Sequence, residues 1–123
     1  MLSGKKIILG VCGGIAAYKA AYLIRLLKKE ETEIKVIVTP SAKNFITPLT
    51  LSALSKNPVY SEFFNPETGE WINHVDLANW ANLILITPTS ANTIAKMTHG
   101  ICNNLLLAIY MSAICPIYLT PAM

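Results

Sequence analysis

A chain of 123 residues, 53% apolar and 14% charged, is long enough for one compact domain and too apolar for disorder. Ten Lys/Arg against seven Asp/Glu give a net charge of +3, but the cations are scattered. Lys28-Lys29 runs straight into Glu30-Glu31, which leaves no cationic stripe for nucleic acid. The most apolar stretch, 105–119, contains Ser112, is broken by Pro116 and falls short of the roughly 20 residues a membrane span needs. Residues 7–11 are too short an apolar run for a signal peptide. Cys12, Cys102 and Cys115 are odd in number and show no C-x-x-C spacing, so neither a metal site nor a disulfide framework is expected. Reduced thiols in the cytoplasm are the default.

In chain order, residues 5–11 predict a strand, then a glycine turn and a helix over about 15–29 with Ala16, Ala20, Leu23 and Leu27 on one face. Residues 33–39 predict a second strand, broken at Pro40, with Ser41 capping a short helix. Thr47 before Pro48 predicts an N-cap and a helix to about residue 55. Residues 57–71 predict an exposed loop with a short strand near Val59-Tyr60. Asn73 predicts the cap of a helix that begins at His74, with Asp76 in its first turn. The run 83–87 predicts a buried parallel strand, 90–98 and 103–113 predict helices, and 116–120 predicts a last strand. Strands alternating with helices specify an α/β fold with a parallel sheet. Residues 97–123 carry no Lys, Arg, Asp or Glu, and this uncharged stretch is either deep core or subunit interface, the chain length favouring an interface.

In an open parallel sheet, ligands bind beyond the carboxyl ends of the strands. The segments 12–16, 39–41, 87–93 and 121–123 fall there. Gly13-Gly14 before a helix start lets backbone N–H groups approach an anion, with the helix dipole favouring negative charge. No Gly-Lys-Ser/Thr follows, and Gly10, Gly13 and Gly14 miss the G-x-G-x-x-G spacing, so neither a Walker loop nor a dinucleotide fingerprint is present. Thr39 stands where a dinucleotide site would place an acid on a ribose. A phosphate without that ribose contact points to a mononucleotide such as FMN. The alternative is that Gly13-Gly14 only makes a tight turn and that Ser90, Asn92 and Thr93 only cap a helix.

His74, in the first turn of a helix, sits where the dipole disfavours the imidazolium, which suits a proton acceptor. A capping or surface role is the competing reading. His99 beside Gly100 reads as a helix C-terminal residue, and Trp80 as core or interface.

Residues 10–19, Gly-Val-Cys-Gly-Gly-Ile-Ala-Ala-Tyr-Lys, closely resemble the opening of the phosphopantothenoylcysteine decarboxylases, within the homo-oligomeric flavin-containing cysteine decarboxylases. Residues 39–49, His74-Val75-Asp76-Leu77, 88–93 and Pro121-Ala122-Met123 are similar to later segments of that family, in the same order. The resemblance implies a Rossmann-like (flavodoxin-like) parallel sheet with helices on both faces, and one FMN-binding domain over 1–123, truncated at its C-terminal end. It implies flavin contacts from Gly13, Gly14, Ile15 and Ala16, from Ser41 and Phe45, from Ser90, Ala91, Asn92 and Thr93, and from Met123 near the ring. It makes His74 the catalytic histidine. The implied activity is FMN-dependent conversion of 4′-phosphopantothenoylcysteine to 4′-phosphopantetheine in coenzyme A biosynthesis. Flavin accepts two electrons as the thiol side is oxidised to a thioaldehyde, the carbanion left by loss of carbon dioxide is delocalised as an ene-thiolate, and this is then reduced again as the flavin returns the electrons. Members form trimers or dodecamers, with active sites between subunits, and in bacteria are commonly fused to a phosphopantothenoylcysteine synthetase.

Two departures qualify this. The family's Pro-x-Met-Asn motif stops at Met123, and the C-terminal flap with its reducing cysteine is absent, with none of Cys12, Cys102 or Cys115 placed to replace it. The chain by itself is therefore expected to form much of the flavin site without completing turnover. The alternatives are a flavin prenyltransferase, a peptidyl-cysteine decarboxylase and a non-catalytic regulatory flavoprotein, the first and last disfavoured by His74.

Overall fold

The computed structural model describes residues 3–13, 15–63 and 68–121, with only the backbone described at Ile15, Ala16 and Pro121. The run Ile7-Ile8-Leu9 is buried on both faces, as the central strand of a parallel sheet requires. It belongs to β1 (Lys6–Val11), flanked by β2 (Glu33–Val38) and β4 (Leu83–Thr89), with β3 (Val59–Tyr60) and β5 (Ile117–Pro121) outside them. The order is β3-β2-β1-β4-β5, and every pairing is parallel, with Leu9 opposite Val36 on one side and Leu85 on the other. The order reverses at β1, so the connections after β1 and β4 leave in opposite directions and open a crevice at the carboxyl edge.

Helices α1 (Lys19–Lys29) and α2 (Pro48–Ser55) cover one face, packing Ala20, Ile24 and Leu51 against Leu9, Val36 and Val38. Helices α3 (His74–Trp80) and α5 (Leu105–Ser112) cover the other, on Ile8, Ile37, Ile84 and Ile86. The short α4 (Ala91–Thr98) links β4 to α5. Among the described residues no helix is long and apolar enough to cross a membrane.

Several local expectations are modified. The helix after the glycine turn begins as a 3-10 turn over Ile15–Tyr18, and its buried line runs through Ala17, Ala20 and Ile24, with Leu23 and Leu27 beside it. Thr39, not Ser41, occupies the cap position before Pro40, because proline fills the first helical position and moves the start one residue earlier. β4 continues through Pro88 to Thr89, pairing again with Pro121 past a register shift. The uncharged C-terminal stretch divides. Leu105, Leu106, Leu107, Ala108 and Ile109 are all buried within the chain's own core, so for this helix the deep-core alternative holds in place of the favoured interface. Each fully buried side chain of this size contributes about 1.5–3 kcal/mol, and α5 gains it by filling the space over β1 and β4. Met111, Ile114, Tyr118 and Leu119 remain exposed.

Candidate functional site

At the carboxyl edge the strand ends converge on a cleft of ≈ 310 Å³, lined by Thr39, Pro40, Ser41, Ser90, Asn92, Thr93, Lys96, Asn103 and Asn104. One wall follows β2. The Thr39 N–H donates to the Val11 carbonyl at 3.0 Å, which holds this turn beside the end of β1, and Thr39 and Ser41 join hydroxyls at 3.3 Å. Gly13 forms the contact behind Ser41: a Cβ there would lie 2.6 Å from Ser41 Oγ and 3.0 Å from its Cβ. A side chain at 13 would meet Ser41 unless Ser41 moved, so it is the close approach of these two residues that favours glycine there.

The opposite wall is the start of α4. Ser90 caps it, accepting from the Thr93 N–H at 3.1 Å while its own hydroxyl donates to Thr93 Oγ1 at 2.9 Å. The buried Cys12 thiol donates to the same Thr93 oxygen at 3.4 Å, and the Cys12 N–H donates to the Pro88 carbonyl at 3.2 Å. These bonds tie the end of β1 to the end of β4 and to the start of α4. Asn104 caps α5, accepting from the Leu107 N–H at 2.9 Å, and closes the third side.

The structure thus brings Ser41, Ser90, Asn92 and Thr93 together, with Gly13 against Ser41. Phe45 and Ala91 are exposed and do not line the cleft. Gly14 and Met123 lie outside the described residues, as do the side chains of Ile15 and Ala16. Lys96, Asn103 and Asn104 were not anticipated as lining residues. For Lys96 a signal existed: it stands three and four residues beyond Thr93 and Asn92, hence on their helix face.

His74 begins α3, whose cap Asn73 accepts from the Val75 and Asp76 N–H groups, both at 3.1 Å. Because α3 leads into β4, it starts at the same carboxyl edge as the cleft. His74 does not line that cleft. Its ring meets Phe63 edge-on at 6.3 Å between centroids, Phe63 stacks on Trp71 at 6.1 Å, and His74 Nδ1 is buried with no hydrogen-bond partner among the described residues. Nε2 is the nitrogen left to meet a ligand. A larger hollow of ≈ 520 Å³ between α1 and α2, lined by Tyr18, Tyr22, Arg25 and Leu49, includes none of the anticipated site residues.

The chain matches the flavoprotein family over residues 1–123 and belongs to it. It is 48% identical over 122 residues to the coenzyme A biosynthesis bifunctional protein CoaBC of Haemophilus influenzae, covering 99% of this chain and 30% of that protein. The chain therefore spans about a third of the length of such curated relatives. Among solved structures it superposes on the FMN-dependent cysteine decarboxylase SpaF with a TM-score of 0.89 at 28% identity, covering 100% of this chain and 71% of that one. A PPC decarboxylase mutant complexed with pantothenoylaminoethenethiol gives a TM-score of 0.81 at 29% identity, covering 98% of this chain and 68% of that one.

Proposed function

We propose that residues 1–123 form the flavin-binding domain of a cytoplasmic, FMN-dependent phosphopantothenoylcysteine decarboxylase of coenzyme A biosynthesis. The observation that carries this reading is the cleft itself: hydroxyls, amides and one ammonium, gathered at the switch point of a flavoprotein sheet, with a glycine cradle that a Cβ would fill. That donor set fits the polyhydroxy chain and phosphate of FMN. Ser41, Ser90, Thr93 and Lys96 would hold the cofactor, and bound flavin supplies a two-electron acceptor. Likeness to coenzyme A biosynthesis proteins over 99% of the chain selects the substrate class.

His74 would orient the substrate and move its proton through Nε2. Its position at the cleft's edge of the sheet but outside the lining supports action across a subunit boundary, on flavin held by a neighbouring protomer. The assembly is then a trimer or a dodecamer. The relatives' greater length and bifunctional description support fusion to a phosphopantothenoylcysteine synthetase.

The test is to reconstitute the full-length protein with FMN and assay carbon dioxide release from 4′-phosphopantothenoylcysteine, with light scattering alongside. Flavin absorbance, substrate-dependent release and a mass at a multiple of three are expected. Flavin binding without decarboxylation would overturn the activity, and a stable monomer at micromolar concentration would overturn the shared site.

A further inference from the structure

We propose that Lys96 supplies the positive charge that holds the phosphate of FMN in the carboxyl-edge cleft, and so makes the site select the phosphorylated flavin over riboflavin. This role presupposes the flavin assignment above and adds the residue that discriminates between flavins. A phosphate monoester carries about −1.5 to −2 charges at pH 7. The hydroxyls of Thr39, Ser41, Ser90 and Thr93 and the amides of Asn92, Asn103 and Asn104 can meet its oxygens, but they are neutral. Lys96 is the one ionisable group lining the cleft among the described residues.

Its surroundings leave the charge available. Lys96 is half-buried on α4, on the face that carries Asn92 and Thr93 into the cleft. Among the described residues its ammonium has no hydrogen-bond or ion-pair partner. The chain has no Asp or Glu after Asp76, so no carboxylate on α4, α5 or β5 competes for it. The purely structural role open to Lys96 is to offset the dipole in the last turn of α4. That role gives no preference between two flavins that differ only in a phosphate.

The experiment measures dissociation constants of FMN and of riboflavin, by quenching of flavin fluorescence, for the flavin-stripped full-length protein and for Lys96→Met and Lys96→Arg. Loss of a charge-assisted contact predicts that Lys96→Met weakens FMN binding roughly 10- to 100-fold and leaves riboflavin within about twofold. Lys96→Arg, which keeps the charge, should hold FMN within about fivefold of the parent. An unchanged FMN-to-riboflavin ratio in Lys96→Met, or equal weakening of both flavins, overturns the inference. Binding of neither flavin by the parent protein would instead overturn the flavin assignment itself, and that arm is read before any variant.

Discussion

Ser41 can lie where it does only because residue 13 has no side chain. Gly13→Ala would put a methyl group 2.6 Å from Ser41 Oγ, and the turn after β2 would have to yield. We expect a loss of about 1–3 kcal/mol in urea unfolding, together with weakened FMN binding as the Ser41 hydroxyl leaves the cleft. His74 makes the opposite kind of prediction. The half-buried ring packs edge-on against Phe63, and its Nδ1 has no hydrogen-bond partner among the described residues, so His74→Asn should change stability by no more than about 1 kcal/mol. Decarboxylation, measured as carbon dioxide release, should fall about 10²–10⁴-fold while flavin content and assembly persist. Near-normal turnover would make His74 a helix-start residue only. Both residues were legible in the sequence through their neighbours: a glycine pair between a strand and a helix, and a histidine behind a capping asparagine. The contact between Gly13 and Ser41 was not, because it joins the ends of two strands far apart in the chain.

Elements announce themselves where their ends are chemically local. Thr47, Asn73 and Ser90 each precede a helix and each accept from N–H groups two or three residues on, as their residue types and positions suggested. The course of β4 was less legible, since the run 83–87 marks only part of a strand that continues through Pro88 to Thr89. Lys96 shares a helix face with Asn92 and Thr93, but Asn103 and Asn104 join it only after α4 turns back into α5, a tertiary event with no local mark. The two caps at the edge should separate in experiment. Asn73→Ala removes two acceptor contacts from α3 and should cost about 1 kcal/mol in thermal or urea unfolding, leaving FMN affinity unchanged. Ser90→Ala should cost a similar amount and also weaken FMN, because the same hydroxyl fixes Thr93 in the cleft wall. If Ser90→Ala leaves FMN affinity untouched, the start of α4 is not part of the binding wall.

At the scale of the whole molecule, the closeness of the layers is set by another glycine. Gly10 lies in the central strand, where its neighbours Ile8, Leu9 and Val11 are buried. A Cβ at residue 10 would stand 2.7 Å from Leu106 Cδ1 and 3.2 Å from Ile86 Cγ1. The approach lets α5 set Leu105, Leu106 and Ile109 against the sheet, so the helical part of the uncharged segment is core while Met111, Ile114, Tyr118 and Leu119 stay exposed. Gly10→Ala should therefore destabilise the domain by about 1–3 kcal/mol through overpacking, despite removing glycine's entropic cost in a strand. Leu106→Val, which shortens the opposing side chain, should cost about 0.5–1.5 kcal/mol by itself. Together the two changes relieve each other, since the methyl added on β1 enters space vacated on α5. Urea unfolding of the parent, both single variants and the double variant gives the coupling directly, and a favourable interaction of at least about 0.5 kcal/mol is expected. Strict additivity would mean that α5 shifts away from the added methyl, and that Gly10 does not set the spacing between helix layer and sheet.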